Sequence, residues 1–465
     1  MRLYEIVGLI KENLCLGIIG LLVIGILLGV GYFVVYKKLL KGKRRITKRQ
    51  MFLGGLFTIY VIMVIGATFL NRGSNFKGAT NLHFLSSYKE AWNSANLRSW
   101  QFLILNILMF FPLGILLPLV NKRFQDIKWI FLIALIFTLF IECFQFMTGL
   151  GIFELDDIFN NILGALLGYG IVMSILTMAK GKNGKKLKAL YYLFPLFIAV
   201  LVFGGIYIVY ERQEFGNLEM NYDYKRDMKN TEILLNIKLN DNQKNVAIFK
   251  APSQDATSAK EFAINFLENL NLETKNLEID AYHDEAIYWA GEERSYNISI
   301  NYLDGSYTYT DFSSFDDGME GMNVDKSIIL EDLKKFNINI PEGAAFRKEG
   351  TGFYKWMVDK KFIDGKLTDG TLSCVYYKDN TIKEISNNLV TYNKVGEVRI
   401  KSELEAYKEI KEGKFKFFKD DIKTLKIMGV NLDYDLDSKG YYQPIYVFKS
   451  LVDGVSCEIA IPALL

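Results

Sequence analysis

Apolar residues fall into two habits along this chain: long uncharged runs over the first 210 positions, and short alternating or helically spaced segments over the rest. Leu14 to Tyr36 holds 23 residues without a charge and Met51 to Leu70 holds 20. Each reaches the roughly 20 residues needed to cross a hydrocarbon core of about 30 Å. Phe102 to Val120, Trp129 to Met147, Ile158 to Ala179 and Ala189 to Tyr210 are also apolar, so the pattern predicts six transmembrane helices. The first run is too long, and too strongly followed by cations, to be a cleaved signal peptide.

Beyond Glu211 the period changes. Ala256, Ala259, Ala263, Phe266, Leu267 and Leu270 recur at helical spacing, with Ser253 or Asp255 available as the N-cap. Ser295 to Tyr302 and Ser306 to Thr310 alternate on either side of Asp304-Gly305, a hairpin signal. A similar unit closes the chain: a helix over Lys401 to Lys411, then strands over Lys423 to Tyr434, Gln443 to Leu451 and Gly454 to Ile461. The expectation is an α+β domain made of two or more small modules.

Charge separates the same two regions. Residues 1–210 carry 22 Lys/Arg against 8 Asp/Glu, a net of +14, and residues 211–465 carry 33 against 44, a net of −11, which together give the chain's +3. Cations are retained on the cytoplasmic side of a membrane. The segments 37–50, 121–128 and 180–188 hold sixteen Lys/Arg, and the alternate segments hold six (Arg2, Lys11, Arg72, Lys77, Lys89 and Arg98). This bias places the N-terminus, the 71–101 loop and everything after Tyr210 outside the cell. The basic run 37–50 reads as a topology signal rather than a nucleic-acid patch. With only His83 and His283 there is no histidine-based metal cage, and four Cys make no disulfide scaffold, although a Cys374–Cys457 pair stays open. Asp316-Asp317 and Asp420-Asp421 read as turn and cap residues rather than a metal site. No cofactor motif is present.

The costly residues lie inside the spans. Asn106 sits in the third, Glu142 and Gln145 in the fourth, and Asp156, Asp157, Asn160 and Asn161 open the fifth. A carboxylate at mid-membrane costs roughly 2.5–3.5 kcal/mol, so function is the default hypothesis for it. Counting from the span ends puts these groups about 3–8 Å below the outer edge of the hydrocarbon, in one layer drawn from three helices. Asp157, Asn161, Gly164 and Gly168 form a single helical stripe whose small residues admit a close neighbour. Pro112 and Pro118, with Gly114 between them, are expected to kink the third span and open space beside Asn106. The competing reading is that Asn106, Glu142 and Asn161 only hydrogen-bond the bundle together.

Asn81-Leu82-His83-Phe84, the stretch Asn106 to Pro118, Glu142-Cys-Phe-Gln145 and Asp157-Ile-Phe-Asn-Asn161-Ile-Leu-Gly164 through Gly168 together resemble the VanZ family of bacterial membrane proteins over about residues 51–178. Two positions depart from that family, His83 where it usually has Pro and Gly151 where it usually has Arg. The tail, with Ser402 to Tyr407, Gly413-Lys414-Phe415, Gln443 to Phe448 and Ile461 to Leu464, more loosely resembles the YycH and YycI extracellular regulators and PepSY-type modules. The resemblances imply a polytopic α-helical membrane bundle of six spans followed by an extracellular α+β domain of PepSY-like modules. The expected divisions are 1–50 (first span and basic loop), 51–210 (VanZ-like domain) and 211–465 (extracellular domain). The founding member's role implies lowered susceptibility to glycopeptides such as teicoplanin, through an outer-leaflet polar pocket that takes a membrane lipid, an amphiphilic glycopeptide or a cell-wall precursor. Two further readings stand beside it: a membrane-anchored sensor whose outer domain meets a ligand or protein partner, and a membrane enzyme using Glu142 or Asp157 as general base on a lipid-linked precursor.

Overall fold

A computed structural model describes residues 3–39, 41, 47–70, 76, 78–179, 185–313, 320–363 and 365–465. The cations Arg2, Lys43, Arg44, Arg45, Arg72, Lys77, Lys180 and Lys182, and the pair Asp316-Asp317, lie outside the described residues. The chain divides into two compact units, one formed by Met1–Trp92 and Asn96–Gln213, the other by Asn93–Ala95 and Glu214–Leu465.

The first unit is helical: α1 (Leu3–Val30), α2 (Lys48–Ile65), α3 (Ser86–Ser94), α4 (Leu97–Val120), α5 (Ile127–Thr148), α6 (Leu155–Ala179), α7 (Lys185–Tyr192) and α8 (Phe194–Arg212). Five stretches among the described residues are long and apolar enough to cross a membrane: Lys48–Leu70, Leu97–Val120, Ile127–Thr148, Leu155–Ala179 and Phe194–Arg212. The first expected span, 14–36, falls on α1 and its π-helical continuation Gly31–Leu39 and is not one of these five. The last expected span is corrected at its start. Ala189 to Tyr192 belong to the short α7, and the long helix restarts at Phe194 because Pro195 occupies its first turn, where a missing N–H costs nothing.

Local sequence sets the ends. Thr47 and Gln50 exchange a capping box at α2, Asn96 caps α4, and Asp126 caps α5, which stops where Gly149 takes a left-handed conformation. Despite Pro112 and Pro118, α4 runs as one helix. Its contact with α6 rests on glycine: a Cβ on Gly164 would stand 1.8 Å from the Ile107 carbonyl oxygen, and on Gly114 1.9 Å from that of Ala165. The two backbones therefore approach as only small residues permit. Phe110, Leu113, Ile130, Ala134, Ile141 and Ala165 fill the centre of the bundle.

The second unit holds α9 (Ala256–Asn269), α10 (Lys326–Lys335) and α11 (Glu403–Lys411) against one large sheet. After two short strands in the first unit, β1 (Thr80–Asn81) and β2 (Phe153–Glu154), its strands are β3 (Glu232–Leu235), β4 (Lys244–Lys250), β5 (Glu278–Ala281), β6 (Glu285–Ala290), β7 (Tyr296–Asn301), β8 (Tyr307–Asp311), β9 (Ala345–Lys348), β10 (Phe353–Ile363), β11 (Lys366–Tyr376), β12 (Ile382–Asn387), β13 (Val390–Ile400), β14 (Thr424–Leu436), β15 (Tyr441–Val452) and β16 (Val455–Pro462). The sheet path is β3-β14-β15-β4-β13-β11-β12-β8-β7-β6-β5, with β16 added on β15, β10 on β11 and β9 on β10.

The Asp304-Gly305 turn joins β7 to β8, Gly305 supplying φ of 72° and Asp304 accepting from the Ser306 N–H at 2.9 Å. Asp255, rather than Ser253, caps α9. Two helix-plus-strands units fall where the sequence pattern places them, and a third, α10 with β9 to β13, lies between them and shares the same sheet. The unit has a core of α9, α10 and strands β6 to β12 around Leu267, Tyr288, Ile298, Leu333 and Trp356, and a second core under α11 around Ile410, Phe415, Leu425, Phe448 and Ile459. Cys374 belongs to the first and Cys457 packs against the second, and both are free thiols, which closes the disulfide alternative. Burial pushes the Cys374 thiol up to about 12, so it stays protonated and inert.

Candidate functional site

The polar residues of the first unit are held by a small non-helical frame. β1 and β2 pair in parallel, Thr80 with Phe153 and Asn81 with Glu154, tying the segment before α3 to the α5–α6 connection. Asn81 donates to Ser86 Oγ at 3.0 Å and accepts from the His83 N–H at 3.3 Å. A proline at position 83 could not make the second bond. Asp156, 2% exposed, then fixes the start of α3 with both carboxylate oxygens: Leu85 N–H donates to Oδ1 at 2.6 Å and Ser87 N–H to Oδ2 at 2.8 Å. A carboxylate at a helix N-terminus meets free N–H groups and the positive end of the helix dipole. One turn further on, Tyr88 donates to Asn160 Oδ1.

Beside this frame lies a cavity of about 610 Å³, lined by Asn106, Glu154 and Asp157 together with Phe76, Phe102 and Leu103, and reaching Ser87, Glu90 and Gly151. Asn106 Nδ2 donates to Asp157 Oδ1 at 2.5 Å, joining α4 to α6 at the cavity wall. Its lining therefore combines carboxylates, a carboxamide and aromatic faces, the mixture that holds an amphiphilic or polar guest.

Of the five residues expected to form one polar pocket, Asn106 and Asp157 line this space. Glu142, 2% exposed, accepts from the Glu154 N–H at 3.1 Å and so stands behind the wall that Glu154 forms. Gln145 donates to the Thr68 carbonyl at 3.1 Å, and Asn161 to Thr138 Oγ1 at 2.8 Å. The single five-residue site expected from depth is thus corrected to a cavity-lining pair and three buried neighbours that bond elsewhere. Equal depth does not fix direction around a helix. Gly164 and Gly168 of α6 and Gly114 of α4 lie where those helices touch, a Cβ on Gly168 falling 2.1 Å from the Phe111 carbonyl.

The sequence reading passed over Asp156 as a positioning residue and Glu90 and Glu154 as lining. The available signal was the acidic start of α6 facing a short polar helix across β1–β2. Among the described residues no group of His, Cys, Asp or Glu is arranged to hold a metal ion. Asp420 pairs with Arg226 at 3.0 Å.

Comparison with known proteins bears on this helical unit. Residues 57–177 match the model of the VanZ/LLP1 family, a span that contains Asn106, Glu142, Gln145, Asp156, Asp157 and Asn161. Protein VanZ of Enterococcus faecium is 26% identical over 153 residues, covering 32% of this chain and 88% of that protein. Among solved structures, an uncharacterized protein from Eubacterium rectale aligns over 50% of this chain and 86% of its own, at 11% identity and a TM-score of 0.25. The helical half, over residues 57–177 and around the cavity that Asn106 and Asp157 line, is similar to the VanZ/LLP1 family.

Proposed function

We propose that this chain is a multi-pass cell-membrane protein that lowers susceptibility to teicoplanin-like glycopeptides by receiving the polar head of an amphiphile, a membrane lipid or the glycopeptide itself, in the cavity beside Asn106 and Asp157. The observation that supports this reading is the Asn106–Asp157 bond of 2.5 Å at the wall of a 610 Å³ cavity whose lining is both carboxylate and aromatic. Carboxylate oxygens accept the N–H and O–H donors of a head group, and Phe76, Phe102 and Leu103 meet its apolar part. What supports the rest of this reading is the cation bias, which favours an outer-leaflet cavity, α1 as a sixth crossing, and the N-terminus and C-terminal unit on the outside.

The test is a susceptibility profile. Deleting the gene is expected to raise sensitivity to teicoplanin, and Asp157→Asn, which keeps size and loses charge, to reproduce most of that effect at wild-type protein level. Full resistance in cells carrying Asp157→Asn overturns the cavity reading and leaves the polar residues as internal glue. A second reading, a membrane-anchored sensor, draws on the second unit's three hydrophobic cores of its own. Truncation after Arg212 is expected to cost part of the resistance, and complete retention counts against any role for that unit.

A further inference from the structure

A second cavity, of about 460 Å³, lies in the C-terminal unit between α9, the turn after α10, and the faces of β8, β11 and β12. Its size suits a small-molecule guest, for which sites of about 300–1,000 Å³ are usual. Its floor is aromatic: Phe262, Phe266, Tyr307 and Phe336, with ring centroids 5.2 Å apart for Phe262–Tyr307 and 5.4 Å for Phe266–Tyr307.

The rim is a set of neutral hydrogen-bonding groups. Asn265 and Asn269 stand one turn apart on α9, and Asn337 and Asn339 face the same space from the turn after α10. None of these four carboxamides bonds to another side chain or to the backbone among the described residues. Two further polar groups are held ready. The Thr368 and Thr391 hydroxyls bond each other at 3.0 Å, and Asn387 Oδ1 accepts from the Leu389 N–H at 3.2 Å.

No lining residue is charged, in a unit where residues 211–465 carry 77 charged side chains, 33 basic and 44 acidic. A phosphate, a free amine or a carboxylate guest would find no countercharge here and would lose its hydration. An apolar guest would bury the carboxamides without partners. The chemistry that satisfies both floor and rim is a neutral polyol ring, whose hydroxyls meet carboxamides that both donate and accept and whose C–H face lies on aromatic rings.

We propose that this cavity is a binding site for a neutral saccharide. It owes nothing to the membrane cavity and stands or falls separately from it.

The experiment titrates maltotriose and tri-N-acetylchitotriose, by calorimetry, into the full chain in lipid nanodiscs free of glycoside detergent, with trialanine and inorganic phosphate as the charged comparisons. At least one saccharide is expected to bind with Kd of about 1 mM or tighter, and the doubly substituted Asn265→Ala, Asn339→Ala chain to bind it at least about tenfold more weakly. Both positions are exposed, so the variant's thermal unfolding should match wild type, and Asn269→Asp offers a second, charge-introducing substitution with the same expected loss. Neither saccharide binding at about 10 mM overturns the proposal. So does saccharide binding that both variants leave unchanged, and so does trialanine binding that the variants weaken, which would make this a peptide site.

Discussion

The two units share one way of holding a buried carboxylate and differ in what else they bury beside it. In the helical unit, Asp156 and Glu142 are each 2% exposed and accept from backbone N–H groups, those of Leu85 and Ser87 for the one and that of Glu154 for the other. Gln145 likewise gives its amide to the Thr68 carbonyl. In the C-terminal unit Asp437, fully buried, likewise accepts from the Gly216, Lys439 and Tyr441 N–H groups, while two buried cations meet opposite charges. Lys383, 2% exposed, lies 3.1 Å from Asp379, and Arg226 pairs with Asp420 while donating to the Phe415 and Lys419 carbonyls. In hydrocarbon every backbone group must find a partner within the chain, so a buried carboxylate is best placed where loops and helix starts leave N–H groups over. The polar residues of the spans therefore stitch connections together, and the cavity at Asn106 and Asp157 sits at the edge of that stitching. Packing diverges in the same way: glycine contact between α4 and α6, large aromatic and aliphatic side chains in the sheet.

That contrast predicts opposite sensitivities. Trp356 is 1% exposed in the centre of the sheet core, so Trp356→Ala should destabilise the C-terminal unit by about 3–5 kcal/mol, read as a lower denaturation midpoint for its strand signal with the helical unit unmoved. Enlargement should hurt the helical unit instead. Gly164→Val puts methyl groups into the Ile107 backbone and should cost at least about 1–3 kcal/mol, measured as a lower melting temperature of the helical signal in nanodiscs. A wild-type melt would break the comparison at its root. Next in size is Asp156→Asn, which leaves one of two N–H donors facing an amide and should cost about 1–3 kcal/mol. Faster hydrogen exchange at the Leu85 and Ser87 amides would localise that loss to the start of α3.

Much of this was legible because hydrocarbon imposes a simple rule: uncharged runs of span length had to be helices, and among the described residues five helices are long and apolar enough to cross. Hydropathy does not register a helix break, so Ala189 to Tyr192 read as part of the last span although Pro195 starts a new helix. In the C-terminal unit, alternation exposed β7, β8 and the Asp304-Gly305 turn. The third helix-plus-strands unit went unread because β10 carries Lys360-Lys361 where its register slips, between Val358 and Lys361, and a bulge destroys the period of two. The site was half legible. Depth and helical spacing grouped Asn106 with Asp157, which bond each other, and also gathered Glu142, Gln145 and Asn161, whose side chains bond other partners. Asp156 escaped because it neighbours Asp157 in sequence yet lies about 100° around the helix from it, facing α3 instead of α4.

The smallest expected effect tests the charge-pairing half of the comparison. Asp453 and Gly454, with φ of 50° and 84°, make the tight turn between β15 and β16. Asp453 Oδ2 meets Lys419 Nζ at 2.5 Å, and Oδ1 accepts from the Thr424 and Lys423 N–H groups at 2.9 Å. Lys419 first, and the Thr424 N–H after it, hold this carboxyl down at about 2 from an ordinary value of 3.8. A depressed carboxyl contributes stability that is fully present above its unfolded value and is lost as pH falls through the folded one. Asp453→Asn lacks that contribution at every pH and keeps the turn, since Asn also accepts a left-handed backbone. The gap in denaturation midpoint between wild type and Asp453→Asn should therefore be constant from about pH 6 to about pH 4 and close toward pH 2. Lys419 is 47% exposed, so the gap should be modest and should narrow further in high salt. A gap that persists undiminished at pH 2 would mean that the turn's geometry, and not the charge on Asp453, is what the substitution disturbs.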